Sequence, residues 1–214
     1  MSPKSVTRSL LIWGSGGHAK VVVDIIHNTE AFNWISFIDD DPLRAGESFC
    51  GYPLIGGLEE LHRFSGSFFL IALGDNRSRA LCFGLALDHG LLPISLIHPA
   101  AIISPSASIG KGTVVMAGAI VNAGAVIGED CILNSGSIVE HDCRVDAHAH
   151  ISPGAVLGGG ASVGSFAHVG IGAILLPGAS VGEESVVGAG AVVLHKVPAR
   201  CTVVGVPAKA LSYA

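Results

Sequence analysis

ISPGAVLGGGASVGSFAHVGIGAI, residues 151–174, consists of four six-residue units in succession. The same unit continues in both directions, so residues 103–192 divide into fifteen sextets. Each sextet begins with Ile, Leu or Val and carries Ala, Ser, Thr or Cys at its fifth place. A period of six fits neither an amphipathic helix nor a long strand, so it indicates an internal repeat. Such repeats cannot bury their apolar positions alone and must stack on their neighbours.

The repeat predicts a parallel β-helix. Three short strands per turn make a triangular prism, with the branched residue filling the interior and the small residue fitting the corner. Five coils of eighteen residues account for residues 103–192. Residues eighteen apart then lie one above the other, separated by about 4.8 Å.

This register places individual side chains. His150 and His168 both fill the sixth place of their sextets, so we expect them to stack on one outward face. His141 fills a third place near a corner, and Gly159 lies one coil above it. Cys131 and Cys143 fill fifth places and are expected to point inward as small core residues.

Residues 1–98 follow another pattern, in which strand-like runs such as LLIWG and WISFID alternate with helix-like runs such as HAKVVVDIIHNTE. This alternation predicts a parallel sheet flanked by helices. We therefore expect a Rossmann-like α/β domain at residues 1–98 and a β-helix domain with a C-terminal cap at residues 99–214.

Composition excludes several classes of partner. The net charge of −5 and the absence of a basic cluster give no electrostatic case for nucleic acid. Apolar runs are interrupted well before the roughly 18 residues that a membrane span needs, and the apolar stretch Leu10–Trp13 is too short for a signal peptide. The five cysteines form no C-x-x-C pair. We expect a cytoplasmic protein without a membrane partner.

The segment EHDCRVDAHAH, residues 140–150, contains three histidines that could be metal ligands, catalytic bases or side chains in water. Neutral imidazoles bind zinc well, but a zinc site across adjacent faces needs histidines at one level, and His150 and His168 form a column on one face. We therefore expect no metal, and we expect His148 to be a solvated turn residue. For His141, a catalytic base and a solvated corner side chain both remain open.

The loop GSGGHA, Gly14–Ala19, follows a strand and precedes a helix, and acidic residues Asp39, Asp40 and Asp41 come about twenty residues later. This spacing fits a dinucleotide-binding loop. A helix N-terminus binds any phosphate, however, so the loop does not identify the molecule. A unit of 98 residues is also short for a full dinucleotide domain.

Motifs along nearly the whole chain resemble one family. They are, in order, SGGHAKVVVDII, FIDDD, IALGDNRSR, LIHPAAIISPSASIG, LNSGSIVEHDCRVDAHAHISPGAVLGG and VVGVPAKAL. Together they are similar to the sugar acetyltransferases that include sialic acid O-acetyltransferases and N-acetyltransferases of nucleotide-linked 4-amino-sugars. The resemblance implies a left-handed β-helix that forms a homotrimer, with acetyl-coenzyme A in the cleft between neighbouring prisms and a nucleotide sugar on the N-terminal domain.

The resemblance also implies residue roles. His141 of the E-H-D segment is the general base, Asp142 fixes its tautomer, and the Gly159 N–H binds the oxyanion. A histidine suits the role because its ordinary pKa, about 6.5, lies near working pH. The implied coenzyme-binding residues are His150, Gly159, Ile171 and Ala189. The implied nucleotide-sugar-binding residues are Ser15, Gly16, Gly17, His18, Asp39, Asp40 and Asn134. Gly74, Asn76 and Arg77 could flank the same pocket.

The predicted function is therefore acetyl-coenzyme A-dependent N-acetylation of a UDP-, GDP- or dTDP-linked amino-sugar in surface glycan synthesis. O-acetylation of sialic acid or a related sugar is the alternative, because hydroxyl and amine acceptors need the same base. A non-catalytic nucleotide-sugar binder or a purely structural β-helix is an alternative of another class, against which the E-H-D segment argues.

Overall fold

The computed structural model describes residues 9–29 and 32–211. Residues 1–8, 30, 31 and 212–214 of the expected domains lie outside the described residues. In the described part of the chain, no helix is long and apolar enough to cross a membrane.

The N-terminal unit is a parallel sheet with helices on both sides. Its elements are β1 (Ser9–Trp13), α1 (Gly17–His27), β2 (Trp34–Ile38), a 3-10 helix (Pro42–Arg44), β3 (Ser48–Phe49), β4 (Tyr52–Pro53), a 3-10 helix (Leu58–Phe64), β5 (Phe68–Ile71), α2 (Asn76–Asp88) and β6 (Leu92–Pro93). The sheet order is β2-β1-β5-β6, with parallel pairing throughout, and β3 and β4 form a separate hairpin. The predicted α/β architecture is confirmed.

Central strand β1 shows why the sheet is covered on both faces. Leu10 and Ile12 pack with α1, whereas Leu11 and Trp13 pack with α2. Successive side chains of a strand point to opposite sides, so a continuous apolar run requires cover on both. Helix α2 begins where the Asp75 carboxylate accepts the Ser78 N–H at 2.8 Å, the usual N-cap contact.

The remainder of the described chain is a parallel β-helix whose strands form three faces. The first face contains Leu96–Ile97, Val114–Val115, Ile132–Leu133, His150–Ile151, His168–Val169, Val186–Val187 and Thr202–Val204, followed by antiparallel Lys209–Ala210. The second face contains Ile102–Ile103, Ile120–Val121, Ile138–Val139, Val156–Leu157, Ile174–Leu175 and Val192–Val193. The third face contains Ser108–Ile109, Val126–Ile127, Arg144–Val145, Ser162–Val163, Ser180–Val181 and Lys196–Val197.

The prism core follows the sextet pattern. First-place side chains such as Val121 and Leu157 and fifth-place side chains such as Ala155 are buried in one continuous cluster. Cys131 and Cys143 belong to this cluster, so their predicted inward orientation is confirmed. The small fifth-place residue lets each corner close without displacing the branched residues.

The stack is longer than the predicted five coils. Leu96–Ile97 precede the first sextet, and Lys196–Val197 and Thr202–Val204 follow the last. Val197 follows Val193 by four positions instead of six, so the six-residue register is lost there although both side chains still point inward. Because this corner is shorter, the six-residue pattern does not reveal the last coil.

The N-terminal unit lies against the first face of the prism. Leu96, Val114 and Met116 of the β-helix share one buried cluster with Val22 and Ile25 of α1. The two units therefore have a common apolar core, which holds them together.

Candidate active site

One cluster of predicted site residues lies at the corner between the second and third faces, here called the His141 corner (residues 140–143 and 158–161). His141 Nδ1 lies 2.9 Å from Asp142 Oδ2, so the contact is direct. The imidazole is 63% exposed. The hydrogen bond to the Asp142 carboxylate raises the pKa of His141 above its ordinary value. With Nδ1–H donated to Asp142, the Nε2 lone pair is free to accept a proton.

Gly159 lies directly beside this imidazole. A Cβ at position 159 would fall 2.5 Å from His141 Nε2, so only glycine fits against the ring. The chain is held here by the Gly160 N–H, which donates to the His141 carbonyl at 2.9 Å. A bare backbone next to a free Nε2 leaves room for a ligand's reacting atoms at the corner.

A second cluster lies on the first face, under the N-terminal unit. His150 is 8% exposed, and its Nε2 lies 3.1 Å from Asn134 Nδ2. The His150 and His168 rings lie one above the other at a tilt of 42°, with centroids 4.7 Å apart, so the predicted column is confirmed. Burial, assisted by His168 and Arg79, lowers the pKa of His150 to about 3, and burial also lowers the pKa of His168. Both rings are therefore neutral near pH 7.

The loop before α1 presents open backbone. Gly16 and Gly17 are exposed, and nothing lies within 4 Å of a Cβ built at either position. His18, which follows these two glycines, is half-buried; burial and then nearby Arg79 lower its pKa to about 4. Its Nε2 is buried and has no hydrogen-bond partner within the described residues.

Asp39 closes the back of this loop. Its carboxylate accepts the Ser15 N–H at 2.8 Å and also the Ser15 hydroxyl. Burial raises the pKa of Asp39, but the hydrogen bonds from Ser15 and Asp41 and the Arg44 charge outweigh it and leave the pKa below its ordinary value. Asp40 accepts the Trp13 indole N–H at 3.0 Å.

Sequence reasoning missed Arg44. Its guanidinium contacts the Ser15 hydroxyl and lies 3.7 Å from Asp39 Oδ2, which places a cation beside the open loop. In the sequence, Arg44 stands only three residues after Asp41. This spacing alone does not show that the chain turns back over Ser15.

One cleft lies where the N-terminal unit meets the prism, and a second adjoins it on the prism alone. One, of about 210 Å³, is lined by Gly74, Asp75, Asn76, Arg77, Phe166, His168, Glu184 and Val186. The other, of about 260 Å³, is lined by His168, Gly170, Ile171, Val186, Val187, Gly188 and Ala189. His168 and Val186 line both clefts, so the two are adjacent. Gly74, Asn76 and Arg77 thus flank a cleft, and Ile171 and Ala189 lie together at the corner between the first and second faces.

The predicted site residues do not all meet within one chain. The His141 corner contains His141, Asp142 and Gly159, and it lies across the prism from the first face. Asn134 and His150 lie on the first face, and the phosphate loop belongs to the N-terminal unit that covers this face. A ligand held by the N-terminal unit therefore cannot reach His141 of the same chain without passing around the prism.

The expectation that His148 is a solvated turn residue is wrong. Its side chain is only 16% exposed, and Nδ1 lies 2.8 Å from the buried carboxylate of Asp130. Its ring stacks on Phe166 with centroids 4.8 Å apart and meets the edge of Phe83. Helix α2 covers this corner, which the repeat could not reveal. Among residues 9–29 and 32–211, no group of three His, Cys, Asp or Glu side chains is arranged to hold a metal.

Comparison with protein families and curated proteins agrees with this geometry. The family model described as PglD N-terminal domain matches residues 9–84, and the model described as bacterial transferase hexapeptide (six repeats) matches residues 124–159. UDP-N-acetylbacillosamine N-acetyltransferase of Bacillus subtilis is 41% identical over 114 residues, which are 50% of this chain and 50% of that protein. The match thus spans half the length of that relative.

Solved structures extend the similarity to nearly the whole chain. A mutant of perosamine N-acetyltransferase from Caulobacter crescentus, in complex with CoA and GDP-perosamine, is 38% identical with a TM-score of 0.91, covering 96% of this chain and 97% of that one. The acetyltransferase domain of PglB from Neisseria gonorrhoeae, in complex with acetyl coenzyme A, is 40% identical with a TM-score of 0.91, covering 96% and 100%. With this coverage, both family models and the site geometry in agreement, the chain belongs to the PglD family of hexapeptide-repeat sugar acetyltransferases.

Proposed function

We propose that this chain transfers the acetyl group of acetyl-coenzyme A to the amino group of a UDP-, GDP- or dTDP-linked amino-sugar. The observation that carries the proposal is the His141–Asp142 pair set against the bare backbone of Gly159. The relatives with bound CoA, acetyl coenzyme A and GDP-perosamine support both substrate classes.

The chemistry is direct transfer. The amine nitrogen attacks the thioester carbonyl carbon while His141 Nε2 accepts a proton from that nitrogen. The Gly159 N–H donates to the oxyanion of the tetrahedral intermediate. The C–S bond then breaks, and the departing coenzyme A thiolate takes the proton from the imidazolium. Asp142 keeps Nδ1 protonated throughout, so Nε2 is always the atom that exchanges the proton.

The N-terminal unit supplies the nucleotide-sugar site in this proposal. The backbone N–H groups of Gly16–His18 at the start of α1 bind the diphosphate next to Ser15, and Arg44 adds a positive charge beside it. Asp39 and Asp40 face the ribose or base, and Asn134 faces the sugar. His150, Ile171 and Ala189 contact the coenzyme. The boundary between the two domains falls near residue 98.

We further propose a homotrimer, because the second face of the prism needs cover. Its outward side chains are all branched aliphatic residues, namely Ile102, Ile120, Ile138, Val156, Ile174 and Val192. The corresponding residues of the third face include Ser108, Arg144, Ser162, Ser180 and Lys196. A continuous apolar column of this kind marks a protein interface.

The trimer would complete the active site. The second face lies between the His141 corner and the corner that carries Ile171 and Ala189. In a cyclic, head-to-tail arrangement, the His141 corner of one chain meets the other corner of the next chain. His141 then faces the coenzyme cleft and the nucleotide-sugar domain of its neighbour, which it cannot reach in its own chain.

Acetyl transfer to a panel of UDP-, GDP- and dTDP-linked 4-amino-sugars tests the activity. We expect transfer to at least one amine. Transfer to free sialic acid with no transfer to any amine would instead favour the O-acetyltransferase. Binding of nucleotide sugars without any transfer would favour a non-catalytic binder.

The phosphate-loop assignment predicts a selective defect in Gly17→Val. No protein atom lies within 4 Å of a Cβ at Gly17, so the new side chain obstructs only a ligand. We expect the KM for the nucleotide sugar to rise roughly tenfold or more, as for loss of a hydrogen bond to a charged group, with the KM for acetyl-coenzyme A nearly unchanged. Gly84→Val, a helical glycine with similarly open surroundings, is the control. Equal rises in both KM values would show that the loop serves folding.

A mixing experiment tests the shared site. Trimers assembled from equal amounts of His141→Ala and Gly17→Val chains contain some sites with an intact corner and an intact loop. At limiting nucleotide sugar, random assembly should restore about a quarter of the wild-type sites in a cyclic oligomer. A mixture no better than the mean of its parents would place the whole site within one chain.

The five cysteines are all free in the structure, which suits a reducing compartment. We therefore place the enzyme in the cytoplasm, where it would acetylate an activated sugar during synthesis of a surface glycan.

A further inference from the structure

The corner between the third and first faces, here called the docking corner (residues 110–113, 128–131, 146–149, 164–167 and 182–185), departs from the usual repeat. Its turns place Asp130, His148, Phe166 and Glu184 in the left-handed region, with φ between 51° and 62°. The equivalent turns at the other corners mostly use glycine, as at Gly136 and Gly160. A left-handed conformation costs free energy in a residue with a Cβ. Four such residues in one column therefore indicate a compensating contact.

Helix α2 makes that contact, and Arg79 is at its centre. The Arg79 side chain is 1% exposed and lies 3.3 Å from the carboxylate of Asp130, which is itself fully buried. Its Nε donates to the Asp130 carbonyl at 3.0 Å, and its Nη2 donates to the His148 carbonyl at 2.7 Å. His148 Nδ1 reaches the same Asp130 carboxylate at 2.8 Å. One guanidinium thus binds the backbone of two successive coils.

The contacts continue along the helix. Asn76 Nδ2 donates to the Phe166 carbonyl at 2.9 Å, and Arg77 pairs with Glu184. At the other end, Phe83 packs so closely on the corner that a Cβ at Gly112 would lie 2.4 Å from its ring. The helix is therefore fixed to the prism over consecutive coils by directional polar contacts.

Helix α2 also borders the cleft of about 210 Å³ that Gly74, Asn76 and His168 line. Asn76 donates to the prism and accepts from Arg79 Nη2 at 3.0 Å, and it also lines the cleft with His168. A buried ion pair adds little stability compared with an apolar replacement, and its attraction repays the desolvation only where the geometry is good. The cluster is thus better suited to setting an orientation than to holding the domains together, which the shared apolar core already does.

We propose that Arg79, Asp130 and His148 form an interdomain clamp that fixes the nucleotide-sugar domain at one angle to the prism. Given the proposed function, that angle places the sugar amine against His141 of the neighbouring chain. The three are positioning residues, because none of them touches the reacting atoms. Arg79 also adds to the field that, after burial, lowers the pKa of His18, His150 and His168 and keeps these rings neutral.

Two conservative variants test the clamp. Asp130→Asn keeps the side-chain size and tolerates the left-handed backbone, and Arg79→Lys keeps the charge but loses the planar fork. We expect kcat to fall roughly 10- to 100-fold, as for a small misplacement of reactants. The Kd for UDP, GDP or dTDP, whichever the wild type binds, should stay within about twofold, because those contacts lie within one domain. His148→Asn should change kcat in the same direction.

Arg200→Met is the matched control. Arg200 occupies the next turn of the same column, with φ of 58°, and its ion pairs with Glu183 and Glu184 stay within the β-helix. We expect its kcat and its midpoint of thermal unfolding to match the wild type. If kcat fell as far in Arg200→Met as in Asp130→Asn, the effect would come from the general stability of the docking corner and not from a clamp between the domains.

A distance measurement separates the clamp from the proposed activity. Spin labels on Cys50, which is exposed in the N-terminal unit, and on Lys196→Cys of the third face report the angle between the domains. The measurement uses a Cys201→Ser background and assemblies diluted with unlabelled chains. We expect Asp130→Asn to broaden or shift the distance distribution. Three results would each overturn the clamp. They are an unchanged distance distribution in Asp130→Asn, an unchanged kcat in that variant, and a Kd for the nucleoside diphosphate that weakens as much as kcat falls. A wild type inactive on every amine would count against the proposed function alone, because the distances would still decide the clamp.

Discussion

The His141→Ala variant should lose roughly 10²- to 10⁴-fold in kcat, the usual contribution of a positioned general base. Neither KM should change much, because the imidazole accepts the proton in the transition state and contributes little to the binding of either substrate. The side chain is exposed and contacts Asp142 rather than the core, so its removal leaves the fold intact. Steady-state kinetics with a 4-amino-sugar nucleotide measures the loss.

Two observations serve as controls for this variant. The loss should shrink as pH rises, since an amine that is already free needs less help from a base. The melting temperature and the oligomeric mass should equal those of the wild type. A kcat within about threefold of wild type at neutral pH, far short of a lost general base, would make the corner structural and would transfer the role to His150.

The Asp142→Asn variant isolates the effect of the carboxylate. Asp142 has a left-handed φ of 60°, a conformation that Asn also accepts, so the turn is preserved. The Asp142 hydrogen bond raises the pKa of His141, and the base works only when neutral, so wild-type kcat/KM falls as pH drops through that raised pKa. In Asp142→Asn the acid limb should move to lower pH and the plateau rate should fall. A pH profile identical to wild type would show that the pair plays no part in catalysis.

The second large effect is expected on the second face of the prism. Placing Arg at both Ile120 and Ile138 puts two charges in the middle of the apolar column, where burying unpaired charge against a neighbouring chain is prohibitive. Both side chains point outward, so a single chain still folds. We expect light scattering at micromolar concentration to give the mass of one chain instead of three. Acetyl transfer should fall below detection, because His141 no longer meets a neighbour.

Ser162→Arg provides the control on the third face. Ser162 pairs in register with Arg144, so that face already carries positive charge. This variant should remain trimeric and active. A wild type that is monomeric, or a second-face double variant that is monomeric yet fully active, would contradict the shared site.

The sequence by itself determined the prism and the register within it. An eighteen-residue coil converts a spacing along the chain into a vertical contact, so the column of His150 and His168 and the approach of Gly159 to His141 follow from counting residues. The inward orientation of Cys131 follows in the same way. None of these conclusions depends on where the N-terminal domain lies.

Only the tertiary structure decided which surfaces of the prism are covered. Arg79 meets Asp130 across 51 residues, and Asn76 meets Phe166 across 90, and neither separation has any relation to the repeat. The burial of His148 and the return of Arg44 over Ser15 depend in the same way on how a non-repetitive domain folds and packs. A periodic pattern specifies contacts between successive coils. It carries no information about a contact between the prism and a residue that is not part of the repeat.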